Sequence, residues 1–263
     1  RWSNGKIPKS FDPARAAATP ETDIVRSLYE GLVEIDPKTL KPLRAIATKW
    51  TPSEDHKIWT FELRENAKWS NGEQITAEDF VRSWKRLTEL GEKVPQRSLL
   101  KNIVGMDSEN VLPVFADDEN QETSKESEAN DLLNQRVQLD LNTNSNSNQN
   151  NGKTNLNSNK ESNEQLALKN KTKIKFGVEA IGKFRLKISL VHPDLDFPLL
   201  ISHPLFRPVY GDGKEFEKNE LNVKTVTNGA FHLQNISKEA IVLERSENYW
   251  NKDAVKLEIV KFI

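Results

Sequence analysis

The chain has no cysteine and only one methionine in 263 residues. The missing thiols exclude disulfides, thiolate metal sites and cysteine nucleophiles, so burial and hydrogen bonds must hold the fold. No run approaches the roughly 20 apolar residues that a membrane-spanning helix needs. The opening Arg1-Trp2-Ser3-Asn4-Gly5 has no hydrophobic signal character, so a targeting peptide, where one is used, is expected to have been removed. An excess of charge is missing too: 38 Lys+Arg against 39 Asp+Glu leave a formal charge of -1. Whole-chain attraction to nucleic acid or an anionic membrane would favour a basic excess, so no nucleic-acid partner is expected. Apolar residues are scarce, at 36% with a mean hydropathy of -0.69, which predicts that part of the chain is unpacked. The length itself allows one large domain or two ordinary ones.

The apolar deficit falls in one place. From Pro113 to about Thr172 the chain passes through an acidic stretch containing Asp117, Asp118, Glu119 and Glu122, then an Asn/Ser tract from Asn142 to Asn163. Asn and Ser side chains compete for backbone hydrogen bonds and bury little area, which predicts a disordered insertion over residues 113–172. Within it Ala129, Leu132, Leu133, Val137 and Leu141 recur at three- and four-residue spacings, enough for one short amphipathic helix.

The flanks are denser. Ile58-Trp59-Thr60-Phe61-Glu62-Leu63 alternates bulky and polar residues as a strand, with a turn at Ser70-Asn71-Gly72. Thr76 is placed as an N-cap, Glu78 and Asp79 lie where the helix dipole favours negative charge, and Ala77, Phe80, Val81, Trp84 and Leu87 share one helical face. Arg82, Lys85 and Arg86 are assigned to the opposite, polar face. An earlier helix is predicted from about Pro20, with Thr19 as N-cap and Ile24, Leu28 and Tyr29 inward, ending at Gly31. Strands are predicted at Ile174–Val178 and Phe184–Leu190, around a turn at Ala180–Gly182. A short helix within Leu195–Leu205 leads to a strand at Arg207–Val209. Phe231–Leu233, Ala240–Glu244 and Val255–Ile263 read as three further strands, with a turn at Asn235. The chain stops inside the last of them, which predicts further sequence beyond it.

Little in the chain supports catalysis. His56, His192, His203 and His232 stand singly, without helical metal-ligand spacing, and there is no Gly-x-Ser-x-Gly elbow. Gly177 to Lys183 matches the spacing of a phosphate loop, but Phe184 stands where Ser or Thr must ligate magnesium, and a strand follows where a helix is required. It reads as a hairpin turn. Glu30 and Glu62 read as surface carboxylates, since no pair of acids has an apolar setting that would separate their pKa values. Trp50, Trp59, Trp69 and Trp84 read as core anchors of a β-rich domain, with a ligand-stacking platform as the alternative. No enzyme activity, metal or cofactor is expected.

Assembled in order, the ordered segments carry a resemblance. Ser10-Phe11-Asp12-Pro13, Tyr29-Glu30-Gly31-Leu32, the run Trp59 to Gly72, Thr76 to Trp84, Val226 to Phe231 and Leu243 to Trp250 together are similar to the oligopeptide-binding proteins of ABC transporters, the family-5 extracellular solute-binding proteins. The resemblance covers residues 1 to about 112 and about 173 to 263, and about the first half of a family member. It implies a mixed α/β fold, a periplasmic-binding-protein-like type II lobe with mixed sheets and flanking helices. Residues 1–35 and 204–263 would form domain I and residues 36–203 domain II, with the second lobe absent. It also implies binding without chemistry: an extended peptide held between lobes through its backbone, like an added strand. The partners would be a peptide and a membrane permease, the protein a monomer, and its location the periplasm or, as a lipoprotein, the cell surface. By the same resemblance Ala17, Ala18 and Thr19 line the cleft, with Ala17 replacing an acidic residue, and Leu99 replaces an aromatic contact. Those two replacements keep a non-peptide solute such as a nickel chelate, haem or sugar open. An adhesion or interaction protein that recognises partners through the Asn/Ser-rich insertion is the reading from a different class.

Overall fold

The computed structural model describes residues 8–107, 176–217 and 222–263. The predicted insertion and its short helix, together with the first residues of the strand expected at Ile174–Val178, lie outside the described residues. Within them, helices and three antiparallel sheets enclose two hydrophobic cores.

The larger core is built on a four-stranded sheet. β1 (Val33–Ile35) and β2 (Pro42–Arg44) form a separate ribbon, turned by Asp36, whose carboxylate accepts from the amides of Lys38 and Thr39 at 2.7 and 3.2 Å. β3 (Ala47–Pro52), β4 (Ile58–Leu63), β5 (Val178–Ala180) and β6 (Arg185–Ser189) then pair in the order β3-β4-β6-β5. Alternation puts Trp59, Phe61 and Leu63 on the buried face of β4, where Trp59 and Phe61 meet Phe197 at ring separations of 6.2 and 6.4 Å. The hairpin turn between β5 and β6 includes Gly182 at φ +74, so the phosphate-loop spacing is a turn.

The helix α1 (Glu21–Leu28) belongs to the smaller core, and α2 (Ala77–Leu90) packs on β5 and β6. A capping box starts α2: the Thr76 amide and hydroxyl both donate to Asp79 Oδ2, at 2.8 and 2.9 Å. Ala77, Phe80, Trp84 and Leu87 are buried as the periodicity predicts, and Trp84 Nε1 donates to the Phe206 carbonyl at 2.9 Å. Trp59 and Trp69 are buried core anchors as well, while Trp50 packs on the core half-covered. The smaller core joins Phe11, Ile24, Val25, Leu28 and Tyr29 to Val209, Phe216, Leu233, Ile241, Leu243 and Phe262. Its sheet is β7 (Phe231–Ile236), β8 (Ile241–Arg245) and β9 (Ile259–Phe262), in that order.

Several expectations need correction. Thr19 does not cap α1; Pro20 stands at the cap, and the first helical amides are taken by backbone carbonyls, Thr22 N to Ala18 O and Ile24 N to Pro20 O. α1 ends at Leu28, with Tyr29 already extended. Arg207–Val209 joins no sheet, because its amides are taken elsewhere: Arg207 N donates to Pro204 O at 3.1 Å and Val209 N donates to Ser83 Oγ, a helix side chain, at 3.0 Å. β7 continues through Asn235 by a register shift, and the turn falls at Ser237–Glu239, where Ser237 Oγ accepts from the amides of Glu239 and Ala240 at 3.2 and 3.1 Å. Arg86 is buried rather than on a polar face, and Glu30 is buried rather than on the surface. Both are bound by residues far away in sequence.

Candidate functional site

The Ala17–Thr19 segment leaves the body between two fixed points. Before it, Ser10 Oγ accepts from Asp12 N, and the fully buried Asp12 carboxylate accepts from Ala14 N, each at 3.0 Å. Arg86 closes on the same carboxylate with two bonds of 3.0 and 2.7 Å. After it, Pro20 is buried and α1 docks through Ile24, Val25 and Leu28. Ala17, Ala18 and Thr19 are all exposed between these anchors. Burial pins the ends and leaves the middle exposed, although the Ala18 carbonyl already accepts from Thr22 N at 3.1 Å.

One side chain orders that open segment: Gln96 Nε2 donates to the Ala17 carbonyl at 3.0 Å. Gln96 directly precedes the 3₁₀ turn Arg97–Leu100, so the structure ties Ala17 to the stretch that carries Leu99. Leu99 itself packs half-buried against the larger core. The bond to Ala17 comes from Gln96, which sequence reasoning passed over because nothing local marks it. Flanking the same two segments is a groove of about 880 Å³, lined by Lys9, Ser10, Arg15, Glu21, Lys93, Pro95 and Glu217. Its walls offer charged groups of both signs.

A second cluster lies where the chain passes between the cores. The Glu30 carboxylate, 7% exposed, accepts from Tyr249 Oη and from Trp250 Nε1, both at 2.6 Å. Burial pushes its pKa up to about 7 against the pull of those two donors. Its backbone is held as a strand would be held: Glu30 N donates to Asn228 Oδ1 at 3.0 Å and Asn228 Nδ2 donates to Glu30 O at 2.9 Å. Buried Arg207 bonds the Tyr29 carbonyl and pairs with Glu34 at 2.6 Å. Ser70 and Thr227 exchange backbone and side-chain bonds, Ser70 N to Thr227 O at 2.7 Å and Thr227 N to Ser70 Oγ at 3.1 Å, and Asn248 Nδ2 donates to Ser70 O at 2.9 Å. Gly229 is required here, since its amide donates to Leu28 O at 2.8 Å and a Cβ would come within 2.7 Å of the Ser27–Tyr29 backbone.

The short motifs therefore meet at one junction. Tyr29-Glu30-Gly31, Ser70-Asn71-Gly72, Thr227-Asn228-Gly229 and Asn248-Tyr249-Trp250, scattered along the chain, bond to one another in space. Their role in this structure is to join segments. Among the described residues no group of three His, Cys, Asp or Glu side chains is arranged to hold a metal, and no helix is long and apolar enough to cross a membrane.

Comparison with known proteins agrees with this architecture. The model of the family described as bacterial extracellular solute-binding proteins, family 5 Middle, matches residues 41–263. The periplasmic oligopeptide-binding protein OppA of Escherichia coli is 30% identical over 267 residues, covering 99% of this chain and 38% of the relative. The periplasmic murein peptide-binding protein MppA of Escherichia coli is 49% identical over 82 residues, 31% of this chain and 15% of the relative. Among solved structures, Haemophilus influenzae OppA in complex with RPPGFSPFR superposes with a TM-score of 0.65 at 26% identity, over 99% of this chain and 40% of that one. The lobe thus has the fold of peptide-binding proteins of the periplasmic type, and the chain spans about 40% of the length of such relatives. Because the family model takes in most of the sequence, the chain belongs to the bacterial extracellular solute-binding proteins of family 5.

Proposed function

We propose that this chain forms one lobe of the solute receptor of an ABC-type peptide importer, and that it presents the Ala17-Ala18-Thr19 backbone to an extended peptide. The observation that carries this reading is the exposed segment itself, anchored at both ends and ordered by the Gln96 bond to Ala17. A peptide laid along it would exchange main-chain hydrogen bonds, which are common to every sequence and so tolerate varied side chains. The groove beside it, with Lys9, Arg15 and Lys93 facing Glu21 and Glu217, suits a ligand carrying charges of both signs. Relatives named for oligopeptide and murein peptide binding support the same class. The cleft would be completed by a second lobe, and the partner of the loaded form would be a membrane permease at the outer face of the cytoplasmic membrane. A division into a domain I from residues 1–35 and 204–263 and a domain II from residues 36–203 is part of this reading; the smaller core draws only on the former, while the larger core also takes in Ala14, Leu32, Val33, Leu205 and Phe206 from it. Binding is without chemistry in this reading.

A non-peptide solute is the second reading, favoured by Ala17 and Leu99, small and aliphatic where the resemblance implies an acid and an aromatic ring. Isothermal titration of the full-length protein with di- to pentapeptides separates the two. Saturable heat with any of them supports the peptide reading. Absence of heat with every peptide, alongside binding of a nickel chelate, haem or a sugar, overturns it.

A further inference from the structure

The buried carboxyl of Glu30 is used by no part of the peptide-binding reading. Its surroundings are unusual for a structural acid. Two neutral donors, Tyr249 Oη and Trp250 Nε1, reach it at 2.6 Å. The nearer cations are engaged elsewhere: Arg207 is bound to Glu34 and the Tyr29 carbonyl, and Arg64 Nε donates to the Ala45 carbonyl at 2.6 Å while its guanidinium lies 3.3 Å from the centre of the Trp250 ring. The charged and titratable groups facing Glu30 are thus Glu34 from β1, Arg207 from the segment before Val209, Arg64 from the end of β4 and Tyr249 from the turn after β8. With Glu30 and Glu34 ionised, two negative charges face two positive ones. With Glu30 protonated, a positive charge is left over.

We propose that Glu30, Tyr249 and Trp250 form a proton-operated latch between the Tyr29–Ile35 crossing and the turn at residues 246–251. Ionised Glu30 receives two charge-assisted hydrogen bonds, the stronger kind. On taking up a proton it loses that assistance and acquires an O–H that needs an acceptor. Tyr249 can reverse from donor to acceptor, because a phenol does both, whereas the Trp250 indole can only donate. Acidification therefore rearranges the tyrosine, weakens the indole bond and relieves the cost of burying the charge. The two forms lie close in energy near neutrality because burial and the two donors act in opposite directions. Trp250, clasped by Glu30 at its nitrogen and by Arg64 on its face, transmits the change from one crossing strand to the end of β4.

The indole N–H resonance of Trp250 reports this state directly. In 15N-labelled protein, with the Trp250 signal identified among the six tryptophans by its loss in Trp250→Phe, the peak is expected to move upfield on acidification, with a midpoint near pH 7. In Glu30→Gln the same peak should not titrate. Tyr249→Phe removes a donor that favours the ionised form, so the midpoint should rise in that variant, a shift that a purely structural tyrosine would not produce. A wild-type peak that stays fixed between pH 5 and 9 overturns the latch. So does a titration that survives in Glu30→Gln, which would assign it to a histidine. If Glu30→Gln does not fold, an unchanged midpoint in Tyr249→Phe overturns the proposal on its own.

Discussion

Arg86 reaches across 74 residues of sequence to hold both carboxylate oxygens of Asp12, at 3.0 and 2.7 Å, with Asp12 wholly buried and the arginine 9% exposed. The pair joins α2 to the turn that precedes the open Ala17–Thr19 segment. Breaking it from one side leaves a charge buried without its partner, which typically costs about 3–5 kcal/mol. Asp12→Ala should therefore destabilise more than Asp12→Leu combined with Arg86→Met, although the double variant removes more polar groups. Urea unfolding of the two variants and wild type checks the order. Equal losses in the single and the double variant would place the cost in packing rather than in an uncompensated charge.

The junction glycine gives a steric prediction. A methyl group on Gly229 would stand 2.6 Å from the Leu28 carbonyl carbon and 2.7 Å from Ser27 O and Tyr29 N, all main-chain atoms of or next to α1 that cannot swing aside. Gly229→Ala should cost about 1–3 kcal/mol, the range of overpacking. Gly211→Ala is the matched control. It has φ +60 and nothing within 4 Å, so it should cost only the backbone preference of roughly 1 kcal/mol. Thermal unfolding that ranks Gly211→Ala as the more damaging would contradict the close approach at Gly229.

What was legible in the sequence follows from how local each interaction is. β4 and α2 could be read because their order lies in spacing alone: alternation over Ile58–Leu63, and a capped 3.6-residue stripe over Ala77–Leu90. The burial of Glu30 could not, since its donors lie 219 and 220 residues away. Arg86 was assigned to a polar face because charge predicts exposure, and the two bonds to Asp12 make its burial tolerable. Arg207-Pro208-Val209 reads as a strand that follows the apolar Leu195–Leu205 stretch, but the partner of its Val209 amide is the Ser83 hydroxyl rather than another strand. For the candidate site, the Ala17–Thr19 segment rested on resemblance, and Gln96 was invisible until the fold brought it to Ala17.

Stability should respond to pH in a defined direction. Glu30 titrates near 7 in the fold against an ordinary value of 4.5. Between those values the folded state holds more protons than the unfolded one, so stability falls as pH rises. Its contribution is full below about pH 4.5 and lost by the time pH has passed about 7. At about 1.4 kcal/mol per pKa unit, the window spans about 3 kcal/mol. Exposed carboxylates such as Asp36 and Asp55 are held low by hydrogen bonds and act in the opposite sense at more acid pH. The difference in unfolding free energy between wild type and Glu30→Gln cancels them. That difference should move against wild type as pH is raised from 5 to 8, and a constant difference would show that Glu30 does not titrate in the window.

Gln96 offers the sharpest test of the ligand face. Its amide fixes the Ala17 carbonyl at 3.0 Å, while Ala17 is exposed and can turn that carbonyl to water once the bond is gone. Gln96→Leu should therefore leave folding within about 0.5 kcal/mol of wild type, as for most surface changes. Binding should suffer more, because a peptide would have to order the Ala17–Thr19 backbone that Gln96 now holds in place. The loss of one pre-organising hydrogen bond, about 1 kcal/mol, corresponds to about fivefold weaker affinity. Calorimetric titration of full-length wild type and variant with the best peptide of the di- to pentapeptide panel measures it. Affinity unchanged within twofold, in a variant whose unfolding midpoint is also unchanged, would remove the Ala17–Thr19 segment from the binding face, because ordering that backbone would then carry no weight in recognition.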